Sequence, residues 1–225
     1  MIGLKATVHL SQMPDTGTGK MDFQNFSQPA DNNQAPIREQ LDRLFSAPAA
    51  ILEIGSGSGQ HAVYMASHLP HLRWQPTDQG DYFAALVENI QQLAPANVLP
   101  PVYLDIAAAT PWPKADNIYL ANVVHIMPAA LLQPLFQQAA RTLPADGKLC
   151  VYGPFKYAGE FTTASNADFD LWLKSRNPLS GIRDIETLQT LAQEYGFTQH
   201  EDLPMPANNQ LLVFVKTAAP QVDIP

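Results

Sequence analysis

Ala50-Ile51-Leu52-Glu53-Ile54-Gly55-Ser56-Gly57-Ser58-Gly59-Gln60-His61 is the stretch from which the rest of the chain takes its meaning. Apolar residues at 51, 52 and 54 suit a short strand covered on both faces. Three alternating glycines follow at 55, 57 and 59, which let the backbone turn tightly and approach a ligand without Cβ interference. Glu53 then falls at the strand's carboxyl end. In doubly wound sheets that end opens on the crevice where nucleotides bind, with backbone N–H groups of the following helix pointing into it.

Working outward, the pattern alternates strand and helix, which predicts a mainly parallel sheet with right-handed crossovers. Strand 1 covers 50–54 and its helix 60–69, stopped by Pro70. Strand 2 covers 72–76, a helix 81–93, strand 3 102–105, strand 4 117–123, a helix 128–143 and strand 5 148–153. Residues 154–183 read as a long segment of mixed type. Asp184 caps a last helix that ends at Tyr195-Gly196. The runs 197–203 and 211–216 are close enough to pair as an antiparallel hairpin. Upstream, Ile37, Leu41, Leu44 and Phe45 form one stripe of a helix over 36–45, with Pro36 as its first residue. Residues 1–25 show no periodicity and read as an extension outside the core; 218–225 read as a loose tail, leaving one domain over 26–217. Gly17-Thr18-Gly19-Lys20 lacks the preceding glycine and strand of a P-loop.

Composition narrows the function. The chain has 225 residues, 13 Lys+Arg against 21 Asp+Glu and a formal net charge of −8, which offers no broad cationic field for a nucleic acid. No run approaches the length of a membrane span, and the start lacks a basic segment followed by an apolar run. The chain therefore reads as cytoplasmic. Its one cysteine, Cys150, lies in a strand pattern and reads as an inert buried thiol. The six histidines show no metal-ligand spacing, so no metal is expected.

Candidate chemistry gathers after the predicted strands. Asp78 stands 19 positions beyond Gly59, where a carboxylate accepts from both ribose hydroxyls; its bland role is a helix cap. Asp105 ends strand 3, beside Ile106, and is placed to accept from an adenine amino group or to close a turn. Asn122 and His125 follow strand 4 at the crevice edge. His125 is the candidate general base, because imidazole titrates near neutrality, or else a histidine hydrogen-bonded beneath a ligand. His61, in the first helical turn, favours cofactor packing. Tyr152-Gly153-Pro154-Phe155 could wall a substrate pocket, while Arg183 and the turn at Asn208-Asn209 could reach a substrate or be purely structural. Gly57-Ser58-Gly59-Gln60-His61-Ala62 also satisfies a nicotinamide-binding pattern. Glu53 argues against it, since a carboxylate there would face a pyrophosphate.

The loop 53–59 resembles the S-adenosylmethionine loop of class I methyltransferases. Further marks are Asn33 with Pro36-Ile37, Trp74-Gln75-Pro76-Thr77-Asp78, Leu104-Asp105-Ile106, Asn122 with His125, Ser165-Asn166-Ala167-Asp168, Gly181-Ile182-Arg183-Asp184 and Met205-Pro206-Ala207-Asn208-Asn209. Together they resemble a domain-of-unknown-function group of class I methyltransferase-like proteins that includes the methyltransferase-like 26 proteins of animals. The resemblance implies a Rossmann-like α/β fold with a seven-stranded, mostly parallel sheet and a C-terminal antiparallel hairpin. It also implies S-adenosylmethionine as cofactor but supplies no defined substrate; the acidic composition favours an unidentified small-molecule acceptor over a macromolecular one. On this reading Glu53, Gly55, Ser56, Gly57, Gly59, His61, Asp78, Asp105, Ile106 and Asn122 hold the cofactor. His125, Asn33, Tyr152, Arg183, Asn208 and Asn209 serve the acceptor, with Asn166 and Asp168 in the same pocket. The chain departs from the group at Asn32, usually Arg, at Ala35, commonly acidic, and at Gly55, often Ala or Ser. A non-catalytic binder of the cofactor and a nicotinamide-dependent oxidoreductase are the rival readings.

Overall fold

A computed structural model describes residues 21–217. Residues 1–20 and 218–225, including the Gly17–Lys20 segment and the expected tail, lie outside the described residues. Among the described residues there are ten strands: β1 (Ala49–Ile54), β2 (Leu72–Asp78), β3 (Val102–Tyr103), β4 (Asn117–Ala121), β5 (Lys148–Gly153), β6 (Phe155–Tyr157), β7 (Glu160–Phe161), β8 (Arg183–Asp184), β9 (Phe197–Met205) and β10 (Asn209–Lys216). The helices are α1 (Gln28–Leu44), α2 (Gln60–His68), α3 (Tyr82–Leu93), α4 (Leu132–Thr142), α5 (Ala164–Arg176) and α6 (Ile185–Glu194). A 3-10 turn, Ala129–Leu131, leads into α4.

The main sheet has the order β3-β2-β1-β4-β5-β10-β9. Strands β1 to β5 pair in parallel, and β10 runs antiparallel to both β5 and β9. This is the seven-stranded Rossmann-like arrangement of class I methyltransferases. The period-2 alternation of each strand divides the core between the two faces. Leu52, Ile54, Ile118, Leu120, Leu149, Val151, Leu212 and Phe214 pack with α4 and α6 on one face. Ile51, Tyr119, Cys150, Tyr152, Leu211 and Val213 pack with α1, α2 and α3 on the other. Cys150 is fully buried, and burial pushes its thiol up to about 12, far from a reactive thiolate.

Three readings from sequence are corrected. Helix α1 begins eight residues before Pro36, because Ser27 caps it by accepting from Ala30 N and Pro29 sits in its first turn. Pro36 is therefore interior to a helix it was expected to start. Strand β2 runs through Asp78 instead of stopping short of it, since Ile54 pairs with Thr77 and Asp78 with Tyr103. Residues 21–25 join the core: Phe23 is buried and Gln24 is hydrogen-bonded to Asn89. The mixed segment after β5 forms a second small sheet, β7-β6-β8, with α5 between its strands in sequence.

Candidate functional site

A cavity of about 1050 Å³ opens beyond the carboxyl ends of β1, β2 and β4. Its floor is the glycine loop. Gly55, Gly57 and Gly59 have φ of 70°, 58° and 83°, all in the left-handed region that favours glycine. They serve different ends. A Cβ on Gly55 would stand 2.7 Å from Val123 Cγ2, and one on Gly59 2.9 Å from Leu86 Cδ1, so these two glycines let the loop after β4 and helix α3 approach. A Cβ on Gly57 would meet nothing within 4 Å, so its bare backbone faces the cavity.

Two carboxylates bracket the loop. Glu53 shares the odd-numbered face of β1 with Ile51 and is 2% exposed; Trp74 Nε1 donates to its Oε2 at 2.8 Å. Burial pushes its carboxyl up to about 7, opposed by hydrogen bonds from Trp74 and Ser56 and reinforced by the charge of Asp78. Ser56 is held on the other side by Thr77, whose N–H donates to Ser56 Oγ. Asp78 accepts from Gly57 N at 2.6 Å through Oδ2 and from Gln79 N at 2.7 Å through Oδ1. Burial raises its carboxyl, and those two N–H groups oppose the rise. Asp78 thus sets the loop's shape from across the crevice.

The cavity brings together most of the residues expected to hold a cofactor: Glu53, Gly55, Ser56, Gly57, His61, Asp78, Ile106 and Asn122 line it, with Asp81 and Leu104. Asn122 does so from a left-handed conformation, φ 61°, its N–H donating to Tyr152 O. Asp105 does not line it; its Oδ1 accepts from Ala107 N in a local turn while Leu104 and Ile106 on either side face the cavity. Gly59 lies behind the loop as the cap residue of α2.

The residues expected to serve an acceptor are not gathered at this cavity. His125 is buried within the loop that follows β4, its ring edge-on to Phe169 at 5.5 Å, and its Nδ1 has no hydrogen-bond partner among the described residues. Burial, and then the charge of Arg183, lowers it to about 4, so it is neutral at pH 7 and a weak base. Arg183 donates to the carbonyls of Val124, Met127 and Leu179, which ties down that loop and leaves it a structural part. Asn209 donates to Pro206 O and Ala207 O within its own turn, and Asn208 O accepts from Asn166 Nδ2. Asp168 is exposed on α5.

Asn33 and Tyr152 instead belong to a buried polar chain. His61 Nε2 faces two oxygens, Asn33 Oδ1 at 2.7 Å and Ala30 O at 3.2 Å, so it carries the proton. Burial lowers His61 to about 4, and its unprotonated Nδ1 accepts from the Tyr119 hydroxyl at 3.0 Å. Asn33 in turn hydrogen-bonds Tyr152, easing an upward shift caused by burial. Missed from sequence were the residues 25–30, which wall the cavity, and Gln60 and Asn89, which hold that wall. The Ser27-x-Pro29 capping pattern was the available signal.

The chain matches, over residues 24–216, the model of a family described as protein of unknown function, DUF938. It is also similar to solved methyltransferases. An O-methyltransferase family 2 protein from Planctomyces limnophilus, solved with apigenin, superposes with a TM-score of 0.73 at 19% identity, covering 84% of this chain and 58% of that one. An O-methyltransferase family protein from Burkholderia thailandensis gives 0.71 at 15% identity over 83% and 57%. Human N-acetylserotonin methyltransferase, solved with S-adenosylmethionine, gives 0.65 at 15% identity over 82% and 56%. The chain thus spans a little over half the length of these proteins, and the likeness establishes the shared fold.

Proposed function

From the premise that this chain belongs to the DUF938 family, we propose that it is an S-adenosylmethionine-dependent methyltransferase acting on a small molecule. The observation that carries the reading is the pairing of Glu53 and Asp78 across a glycine loop whose Gly57 presents bare backbone to the cavity. That set fits the cofactor. Buried Glu53 suits the amino group, Asp78 the ribose hydroxyls, and Leu104 with Ile106 the faces of the adenine. Asp105 is then an adenine acceptor only through a change in its turn. When bound, the cofactor supplies an electrophilic methyl group on a sulfonium.

The protein's own part is to hold the acceptor in line and keep water out. Asn122, at the end of β4 and facing the cavity, is the side chain best placed to orient it. His125, neutral and close behind Asn122 and Gly153, is the candidate proton acceptor, reached by a shift of the loop that Arg183 holds. The described lining carries Glu53, Asp78 and Asp81 and no Lys or Arg, which supports a small acceptor over a polyanion. The polar signatures at Trp74–Asp78 and Met205–Asn209 support the narrower kinship with the methyltransferase-like 26 proteins.

Calorimetry with S-adenosylmethionine and S-adenosylhomocysteine tests the cofactor: both bind the wild type, and Asp78→Ala loses most of the affinity. Binding of NADH in their place overturns the reading. One observation favours a non-catalytic binder, namely that His125 is set back from the cavity with its proton affinity depressed. A methylation screen of metabolite extracts read by mass spectrometry separates the two.

A further inference from the structure

The wall of the cavity formed by residues 25–30 is attached in an unusual way. At its far end Phe23 is anchored in the core, and at its near end Ile37, Leu41 and Leu44 of α1 are buried. Between those apolar anchors the attachment is made by polar side chains of α2 and α3. Asn89 meets Gln24 in both directions, Gln24 N donating to Oδ1 and Nδ2 donating to Gln24 O, each at 3.0 Å. Gln60 meets Ser27 likewise, accepting from its N–H at 2.6 Å and donating to its carbonyl at 3.2 Å. His61 holds Ala30 O and Asn33.

Each amide thus stands in for a strand partner at one residue of the segment. Asn25, with φ 56°, bends the backbone between the two clasps, and Asn25 and Phe26 face the cavity. The polar section ends at Pro36. A proline there has no N–H for the Asn32 carbonyl, so the helix loses a backbone bond at the boundary between its clasped and its apolar halves.

We infer that residues 24–35 form a strap over the cofactor site, clasped shut by Asn89, Gln60 and His61 and hinged at Pro36, and that its opening gates cofactor entry and product release. Hydrogen bonds to buried amides can be exchanged for water, whereas lifting Ile37 or Leu41 would expose apolar surface. The weak links therefore lie over the cavity and the strong ones beside it. Asn89 does not line the cavity and acts as a positioning residue, through Gln24 and through Ser58 O, to which it also donates at 2.8 Å.

The inference rests on the cofactor reading, and one experiment separates the two. Hydrogen exchange is followed by mass spectrometry on the free full-length protein and with S-adenosylhomocysteine, alongside stopped-flow release of that ligand from wild type, Asn89→Ala, Asn89→Asp and Pro36→Ala. In the free protein, amides of 24–35 exchange about tenfold faster than those of 37–44, and ligand removes the contrast. Asn89→Ala speeds release about tenfold; Asn89→Asp, which keeps the acceptor for Gln24 N, recovers part of the loss. Pro36→Ala slows binding and release together. Equal exchange on the two sides of Pro36 in the free protein overturns the strap, and so does release unchanged in Asn89→Ala. Absence of any S-adenosylhomocysteine binding overturns the cofactor reading and with it the gating role, while the exchange contrast, read without ligand, still decides whether the strap opens.

Discussion

Gly55 and Val123 meet so closely at the carboxyl ends of β1 and β4 that the space for a Cβ on Gly55 is already taken, 2.7 Å from Val123 Cγ2. Two residues on, Gly57 has open space where its Cβ would stand. The pair separates a packing requirement from a ligand requirement.

Gly55→Ala is expected to cost about 1–2 kcal/mol for its left-handed backbone and about as much again for the clash with Val123. Val123→Ala in the same protein should return the second part, a coupling that a double-mutant cycle reads by urea unfolding. Gly57→Ala should cost only the backbone part while sharply weakening S-adenosylhomocysteine, because its methyl enters the cavity. Equal losses of affinity in the two single variants, with no coupling to Val123, would sink this division of labour.

Glu53 makes cofactor affinity pH-dependent. Its carboxyl stands at about 7 in the free protein, raised chiefly by burial, and it must be ionised to pair with an ammonium. The dissociation constant for S-adenosylmethionine should therefore be flat above pH 7 and rise about tenfold per unit as pH falls below it. Trp74→Phe removes the N–H that stabilises the ionised form and should move that break upward. A calorimetric titration flat from pH 5.5 to 8.5 would show that Glu53 plays no such part.

Arg183 tests structure against substrate. Its guanidinium donates to three carbonyls, on Val124, Met127 and Leu179. Arg183→Ala should lower stability by about 2 kcal/mol by leaving acceptors unpaired, and Arg183→Lys, lacking the fork, should restore little. A variant with unchanged thermal stability and a raised KM for a methyl acceptor would return Arg183 to the substrate pocket.

The difference between what was legible and what was not has a physical basis. Strands β1, β4, β5 and β10 announce themselves because each is buried on both faces and reads as an apolar run, and the glycines announce the loop because few other residues tolerate its φ. Glu53 and Asp78 were legible by spacing from that loop. The acceptor residues were not, because an Arg, Asn or His satisfied by backbone carbonyls looks the same in sequence as one aimed at a ligand; Arg183 and Asn209 are the former. The strap was hidden by Pro36, whose usual place at a helix start suggested a boundary where the structure has an interior. Gln60 and Asn89 carry no pattern at all, since an amide that imitates a strand partner depends on two segments meeting in space.

The buried histidines set the acid limit of the fold. His61 and His125 are both lowered to about 4 by burial, so in the unfolded chain each takes up a proton at about 6.5 that the folded chain refuses. Stability from these two is fully present above pH 6.5 and is lost as pH falls towards 4. Glu53 works the other way: its folded value of about 7 exceeds its unfolded one, so the folded chain takes up a proton first and gains stability as pH falls through the same window. Two protons favouring the unfolded state against one favouring the folded leave a net slope of about 1.4 kcal/mol lost per unit between pH 6.5 and 5. In more acid solution Asp184 and Glu201, held low by hydrogen bonds and neighbouring cations, add losses, and Asp78, raised by burial, adds a gain. His125→Phe removes one of the two opposing histidines, so its stability, measured by urea unfolding, should be nearly flat over that window. A variant that keeps the wild-type slope would show that His125 titrates normally and is open to water, which would also restore it as a base of ordinary strength.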